Sequence, residues 1–110
     1  MSYERITVVG NIGSVTPVVS EGGRPYIRLT LAVNRGQGEY RKTVWYTVML
    51  FGVMAREPEK FVTRYRVGRL VLVEGRPQTE AYLRKDGSPE VDNAIVATAM
   101  PELLDAPKQG

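Results

Sequence analysis

Short segments with apolar residues in alternation or in brief runs predict a protein built mainly of β-strands. The clearest alternation covers residues 26–34 (YIRLTLAVN), where every second residue is a large aliphatic one. A strand of this kind packs one face on the core and leaves the other in solvent. Further strands are predicted over residues 5–10, 45–51, 69–74, 78–84 and 92–100.

One helix is predicted over residues 57–65, between the third and fourth strands. Pro58 suits a first helical position, and Phe61, Val62 and Tyr65 form an apolar side before Gly68. The resulting element order predicts an all-β OB-fold, a five-stranded Greek-key barrel with one helix between strands 3 and 4. An extended late hairpin is expected around residues 85–88 (KDGS), because Asp-Gly favours tight turns. We expect one domain over residues 1–100 and a short C-terminal tail over residues 101–110.

Composition excludes several classes of chemistry. The sequence has no cysteine and no histidine, which removes disulfides, thiolate chemistry and the commonest general base and metal ligand. Asp86, Glu90 and Asp92 are scattered around the late hairpin and favour a turn rather than a nuclease centre. The segment GNIG (residues 10–13) lacks the third glycine of a dinucleotide-binding loop and favours a bulge at a barrel corner. We therefore expect a protein that is not an enzyme and needs no cofactor or metal.

Targeting signals are not evident in the sequence. No run is long enough for a membrane-spanning helix, and the first residues lack the apolar region of a signal peptide. We expect a cytoplasmic, nucleoid-associated protein with no membrane partner, and a viral or organellar origin remains an alternative.

The strand over residues 45–51 contains the only tryptophan of the chain. Its odd-numbered residues share one face and its even-numbered residues the other. Val48 and Leu50 suit the core, which predicts Trp45 and Phe51 on the outer surface, roughly 20 Å apart at the standard rise of a strand. Rings exposed there would suit nucleobases. The pattern alone leaves the core or an oligomer interface as alternatives for them.

Basic residues lie close to these and other aromatic residues. Eleven of the fifteen basic residues are arginines, which stack on rings and bind phosphate with a planar group. Arg35, Arg41 and Lys42 bracket a glycine-rich loop that contains Tyr40, and Tyr82 lies beside Arg84 and Lys85. Cations that follow a phosphate backbone, interleaved with rings that stack on bases, are typical of proteins that bind single-stranded nucleic acid.

At the level of motifs the chain resembles the bacterial-type single-stranded DNA-binding protein family. The matching stretches are VVGNIG at 8–13, LTLAVN at 29–34, TVWYTVMLFG at 43–52 and LVEG at 72–75, followed by the late hairpin. They occur in the family's order over about residues 4–100. The resemblance implies an OB-fold that wraps single-stranded DNA over aromatic side chains, as a homo-oligomer and typically a homotetramer.

The resemblance also implies which residues bind DNA. Trp45 and Phe51 match two stacking aromatics, Tyr82 stands where a third occurs, and Tyr40 is the candidate for a fourth in a shorter loop. Arg5 and Arg76 match positions that are often polar or basic. The full set expected to contact phosphates or polar groups is Arg5, Arg28, Thr30, Arg35, Arg41, Lys42, Arg76, Arg84 and Lys85.

Some positions depart from the family pattern. Val53 stands where a basic residue is common after Phe-Gly, Glu80 and Ala81 precede Tyr82, and Tyr46 replaces a usual histidine. The long linker and acidic tip of the family are not in the sequence, so we expect a tail-less form that does not recruit replication or repair proteins through such a tip.

These observations lead to one expected function and its alternatives. The expected function is sequence-nonspecific binding and protection of single-stranded DNA in replication, recombination and repair. One alternative is a primosome-accessory-like OB-fold module that bridges replication proteins, and another is an OB-fold nuclease. RNA is an alternative partner, because stacking tolerates either sugar.

Overall fold

The computed structural model describes residues 4–20, 22–83 and 89–105, and for residues 79–83 and 89–92 it describes the backbone only. The strands are β1 (Ile6–Val19), β2 (Pro25–Arg35), β3 (Lys42–Leu50), β4 (Leu70–Leu83), β5 (Pro89–Ala97) and β6 (Glu102–Leu103). The helix α1 spans Pro58–Arg64, as the sequence predicts, and short 3₁₀ turns cover Gly38–Tyr40 and Gly52–Ala55.

Pairing between the strands closes a five-stranded barrel. β1, β2 and β3 are consecutive antiparallel neighbours, and β1 also pairs with β4. β5 pairs antiparallel with β4 and parallel with β3, which completes the ring. The predicted OB-fold is confirmed. Two of the predicted strands, over residues 69–74 and 78–84, are parts of the single long strand β4.

A bulge at Gly13 lets β1 belong to both halves of the barrel. Before the bulge β1 pairs with β4, and the register against β2 shifts between Ile12 and Ser14. The bulge that the glycines at residues 10–13 predict is confirmed. The strand continues well past Gly10, where the prediction ended. Pairing with β4 covers residues 6–11, and residues 14–19 pair with β2, with Pro17 opposite Ile27. Proline is accepted in a strand where its nitrogen faces no second partner strand.

Alternating residues of the strands fill the core. From β2, Ile27, Leu29 and Leu31 are buried, and from β3, Tyr46, Val48 and Leu50. Val8 is also a core residue. The neighbouring Val9 faces the other way and is exposed.

The chain beyond residue 100 packs on the barrel as far as Asp105. The hydroxyl of the buried Tyr65 donates a hydrogen bond of 2.7 Å to the carbonyl of Pro101, and β6 pairs with β4. The Asp105 carboxylate accepts bonds from Arg69 Nε (2.9 Å) and the Leu70 amide (3.0 Å). These bonds lower the pKa of Asp105. A two-residue strand has too little sequence for its pattern to be recognised.

None of the helices in the described residues is long and apolar enough to cross a membrane.

Candidate nucleic-acid interface

The outer face of β2 and β3 carries the lone tryptophan. Trp45 is 56% exposed, whereas the next residue, Tyr46, is 7% exposed in the core. Val48 and Leu50 follow Tyr46 into the barrel, so the odd-numbered residues of β3 face outward. The predicted orientation of this strand is confirmed, and it places Trp45 at the surface rather than in the core.

The indole ring of Trp45 lies over the bulge in β1. Gly13 is two strands away from Trp45 across β2, and a Cβ atom on Gly13 would lie 2.5 Å from Cζ3 of the ring. Thr30 lies between the two on β2, and its Oγ1 would be 3.1 Å from the same Cβ atom. Glycine at position 13 therefore leaves the room that the edge of the indole ring occupies.

Phe51 lies at the other end of β3 and contacts two residues of β2 or its preceding turn. Its ring stacks on that of Tyr26, with the ring centroids 5.1 Å apart and the planes at 28°. Cζ of Arg24 is 5.5 Å from the Phe51 centroid, which is within the range of a cation–π contact. Phe51 is half-buried as a result.

A groove of about 390 Å³ runs over the outer face of the sheet. Residues of β1, β2 and β3 form most of its lining: Ser14, Tyr26, Arg28, Thr30, Thr47 and Met49. Gln78 of β4 and Ala94 of β5 complete it. The hydroxyls of Ser14 and Thr30 are hydrogen-bonded to each other at 2.7 Å. Hydroxyl groups can donate or accept, so the floor does not select one pattern of donors and acceptors.

Several predicted basic residues are exposed around this face. Arg28 lines the groove, and Arg76 is exposed on β4 beside it. Arg41 and Lys42 are exposed where β3 begins, next to Tyr40, whose side chain is 82% exposed. Arg28 and Arg76 therefore place positive charge at the groove, whereas Arg41 and Lys42 place it at the start of β3, where Lys42 pairs with Arg35.

Two predicted basic residues have partners within the protein. Nη2 of Arg35 donates a 2.5 Å hydrogen bond to the hydroxyl of Tyr46, and its Cζ lies 5.9 Å from that ring's centroid. Arg35 therefore points to the core side of β2, away from Trp45. Arg5 forms an ion pair with Glu74.

The remaining predicted residues belong to the late hairpin. The backbone of Tyr82 lies in β4, paired with Glu90 of β5. Arg84 and Lys85 lie outside the described residues. Three residues of this surface were not among the predicted site residues: Arg24, Tyr26 and Met49. The alternation of β2 already placed Tyr26 on the outer face, so that residue could have been predicted.

Among the described residues, no three acidic side chains come together as they would around a metal ion. Every buried side-chain nitrogen or oxygen in this part of the chain has a hydrogen-bond partner.

Comparison with protein families gives a match over nearly the whole chain. The model of the single-strand binding protein family matches residues 3–103. A search of the curated proteins found no match.

Solved structures with this architecture include three proteins whose names refer to single-stranded DNA. The mitochondrial single-stranded DNA-binding protein Rim1 of S. cerevisiae is 31% identical, with a TM-score of 0.66 over 94% of this chain and 97% of that one. The small single-stranded DNA-binding protein of Streptomyces coelicolor is 23% identical, with a TM-score of 0.72 over 96% and 98%. The Plasmodium falciparum protein, solved with single-stranded DNA, is 20% identical, with a TM-score of 0.67 over 96% and 97%.

Substitution of Gly13 by alanine should move the Trp45 ring. The added methyl group overlaps Cζ3, and the exposed ring can shift outward more easily than the backbone. We expect a red-shifted tryptophan emission and a loss of stability of about 0.5–1.5 kcal/mol, the usual cost of a side chain displaced from its rotamer. Gly22→Ala is the control, because a Cβ there meets nothing within 4 Å. An unchanged emission spectrum for Gly13→Ala would contradict the contact.

Proposed function

The chain belongs to the single-strand binding protein family, and on that premise we propose that it binds single-stranded DNA with little sequence preference and without catalysis. The observation that supports this most directly is the exposed indole of Trp45, which contacts Gly13 on the outer face of the barrel. A large exposed ring is unfavourable in water unless a partner covers it. Every nucleobase offers a π-face that can do so.

In this proposal the rings supply affinity for the bases. Trp45 stacks on a base directly, and the surface around Phe51 provides a second place for stacking. Tyr40, at the exposed start of β3, and Tyr82, in β4, are proposed to extend the path. Stacking on rings does not discriminate between bases, which is why little sequence preference is expected.

The cations supply affinity for the phosphates. Arg28 and Arg76 are exposed on or beside the outer face, Arg41 and Lys42 are exposed where β3 begins, and Thr30 offers a hydroxyl in the groove. Arg84 and Lys85 are proposed to contribute from the late hairpin. Arg5 and Arg35 would have to leave Glu74 and Tyr46 to bind phosphate, so we assign them a smaller share of the binding.

We further propose that the protein protects single strands during replication, recombination and repair as a homotetramer. One OB domain contacts only about 4–16 nucleotides, and symmetric assembly extends the site. The outer face of β1 and β4 offers an apolar surface for this purpose, since Val9 is exposed and pairs with the half-buried Leu72.

Replacement of Trp45 by alanine should weaken binding to oligo-dT by about 1–3 kcal/mol, and Trp45→Phe should weaken it less, because a ring is retained. Both variants lack the tryptophan signal, so binding is measured by the fluorescence anisotropy of a labelled oligonucleotide. Duplex DNA and oligo-U serve as competitors. If folded Trp45→Ala binds as tightly as the wild type, Trp45 does not stack on DNA.

The affinity should fall with salt, because cations on the protein displace counterions from the strand. The slope of log K against log salt is about −0.7 for each phosphate neutralised. Arg28→Ala should therefore make the slope about 0.7 less negative. Arg56→Ala, at an exposed position beside α1, is the matched control and should leave the slope unchanged. Equal slopes for wild type and Arg28→Ala would show that Arg28 does not neutralise a phosphate.

The assembly should be larger than the 12.3 kDa single chain when measured by multi-angle light scattering. Val9→Glu should reduce the mass, because it places a charge in the proposed apolar seam. Val62→Glu on α1 is the control: Val62 is 41% exposed and Val9 is 42% exposed. A wild-type mass of one chain, or equal masses for the two variants, would refute this seam.

A further inference from the structure

The groove on the outer face ends at an aromatic ring that the resemblance to the family did not identify. Tyr26 lines the groove, and its ring stacks on Phe51 at a centroid distance of 5.1 Å. Because Ile27 pairs with Leu50, Tyr26 and Phe51 come next to each other in the β2–β3 register. Trp45 lies opposite Ala32, six residues along β2 from Tyr26. That separation is roughly 20 Å at the standard rise of a strand.

A cation completes the cluster at this end. Arg24 lies over the Phe51 ring, with Cζ 5.5 Å from the centroid. The backbone of Arg24 is held by the turn before β2: its amide donates to Ser20 Oγ at 3.2 Å, and its carbonyl accepts from the Ser20 amide at 3.0 Å. These bonds fix the place from which the Arg24 side chain starts, and the residue is exposed.

The groove on the outer face, between Tyr26 and Trp45, has the properties of a ligand site. Its volume of about 390 Å³ lies within the usual range for such sites, about 300–1,000 Å³. Met49 supplies an adaptable apolar surface, and the paired hydroxyls of Ser14 and Thr30 supply polar contacts. This combination suits the flat face and polar edge of a nucleobase.

We infer that the groove is a nucleotide subsite in which Tyr26 stacks on a base, Phe51 holds the Tyr26 ring in place and Arg24 contacts the adjacent phosphate. The inference rests on the proposed function and deepens it. It makes Phe51 a positioning residue at this end of the groove and adds Tyr26 and Arg24 to the residues that touch the strand. The rings of Trp45 and Tyr26 then mark the two ends of one path across the outer face.

The first test compares two substitutions of Tyr26. Tyr26→Leu keeps apolar bulk against Phe51 but removes the ring, whereas Tyr26→Phe keeps the ring. Titration with labelled oligo-dT should show binding weakened about 5- to 140-fold by Tyr26→Leu, and nearly unchanged by Tyr26→Phe. The salt slope should be the same in both, because neither changes a charge. Wild-type affinity for a folded Tyr26→Leu would overturn the inference.

The second test concerns the cation. Arg24→Gln should make the log–log salt slope less negative by about 0.7, and Arg56→Gln is the matched control with an unchanged slope. A slope for Arg24→Gln equal to that of the wild type would overturn the phosphate contact.

The third test uses the wild-type protein and so does not depend on any variant folding. An oligonucleotide that carries 5-iodouracil is photocrosslinked, and the adducts are located by mass spectrometry. Adducts on Tyr26 as well as Trp45 are expected. Adducts on Trp45 without any on Tyr26 would overturn the subsite while leaving single-strand binding intact. A wild-type protein that binds no oligonucleotide would refute the proposed function and the subsite together.

Discussion

Barrel closure is the constraint on which the candidate interface depends. β3 pairs with β2 on one side and with β5 on the other, so its two faces are fixed as inside and outside. Tyr46, Val48 and Leu50 fill the inside. Because side chains alternate along a strand, Trp45 has to lie outside, and a slip of the register by one residue would bury it and expose the aliphatic set. The exposure of the tryptophan is thus a consequence of the core.

Close approach at glycines adds a second constraint. At Gly13 the missing side chain leaves room for an indole, and at Gly75 it leaves room for a strand, since a Cβ there would lie 2.3 Å from the carbonyl oxygen of Val96. Gly75 pairs with both Ile6 and Ala97, at the point where β4 passes from pairing with β1 to pairing with β5. One glycine therefore shapes the surface of the barrel, and the other allows it to close.

The sequence predicts the barrel, the helix and the outward face of β3 because each leaves a periodic signal. The alternation over residues 26–34 and the aliphatic pair Val48 and Leu50 suffice for the two central strands. β6 has only two residues, too few for a periodic pattern. A contact between distant residues, such as the hydrogen bond from Arg35 to Tyr46 across the β2–β3 hairpin, leaves no periodic signal at all. The partnership of Tyr26 with Phe51 follows from the register, which a single sequence does not display.

The aromatic and the basic side chains differ in how far they are ordered in the free protein. This difference affects what each can contribute to binding affinity. Trp45 lies against Gly13 and the Phe51 ring against Tyr26, so both rings have contacts within the protein itself that favour their positions. A side chain that is already ordered loses little entropy on binding, which favours affinity. Arg28 is exposed on a long flexible stem, so in the proposed complex it would lose side-chain entropy when it binds a phosphate. Arg35 is ordered too, but by the hydroxyl of Tyr46, and a buried hydroxyl that loses its partner costs free energy. The same strand therefore carries one arginine suited to an anion and another that completes the edge of the core.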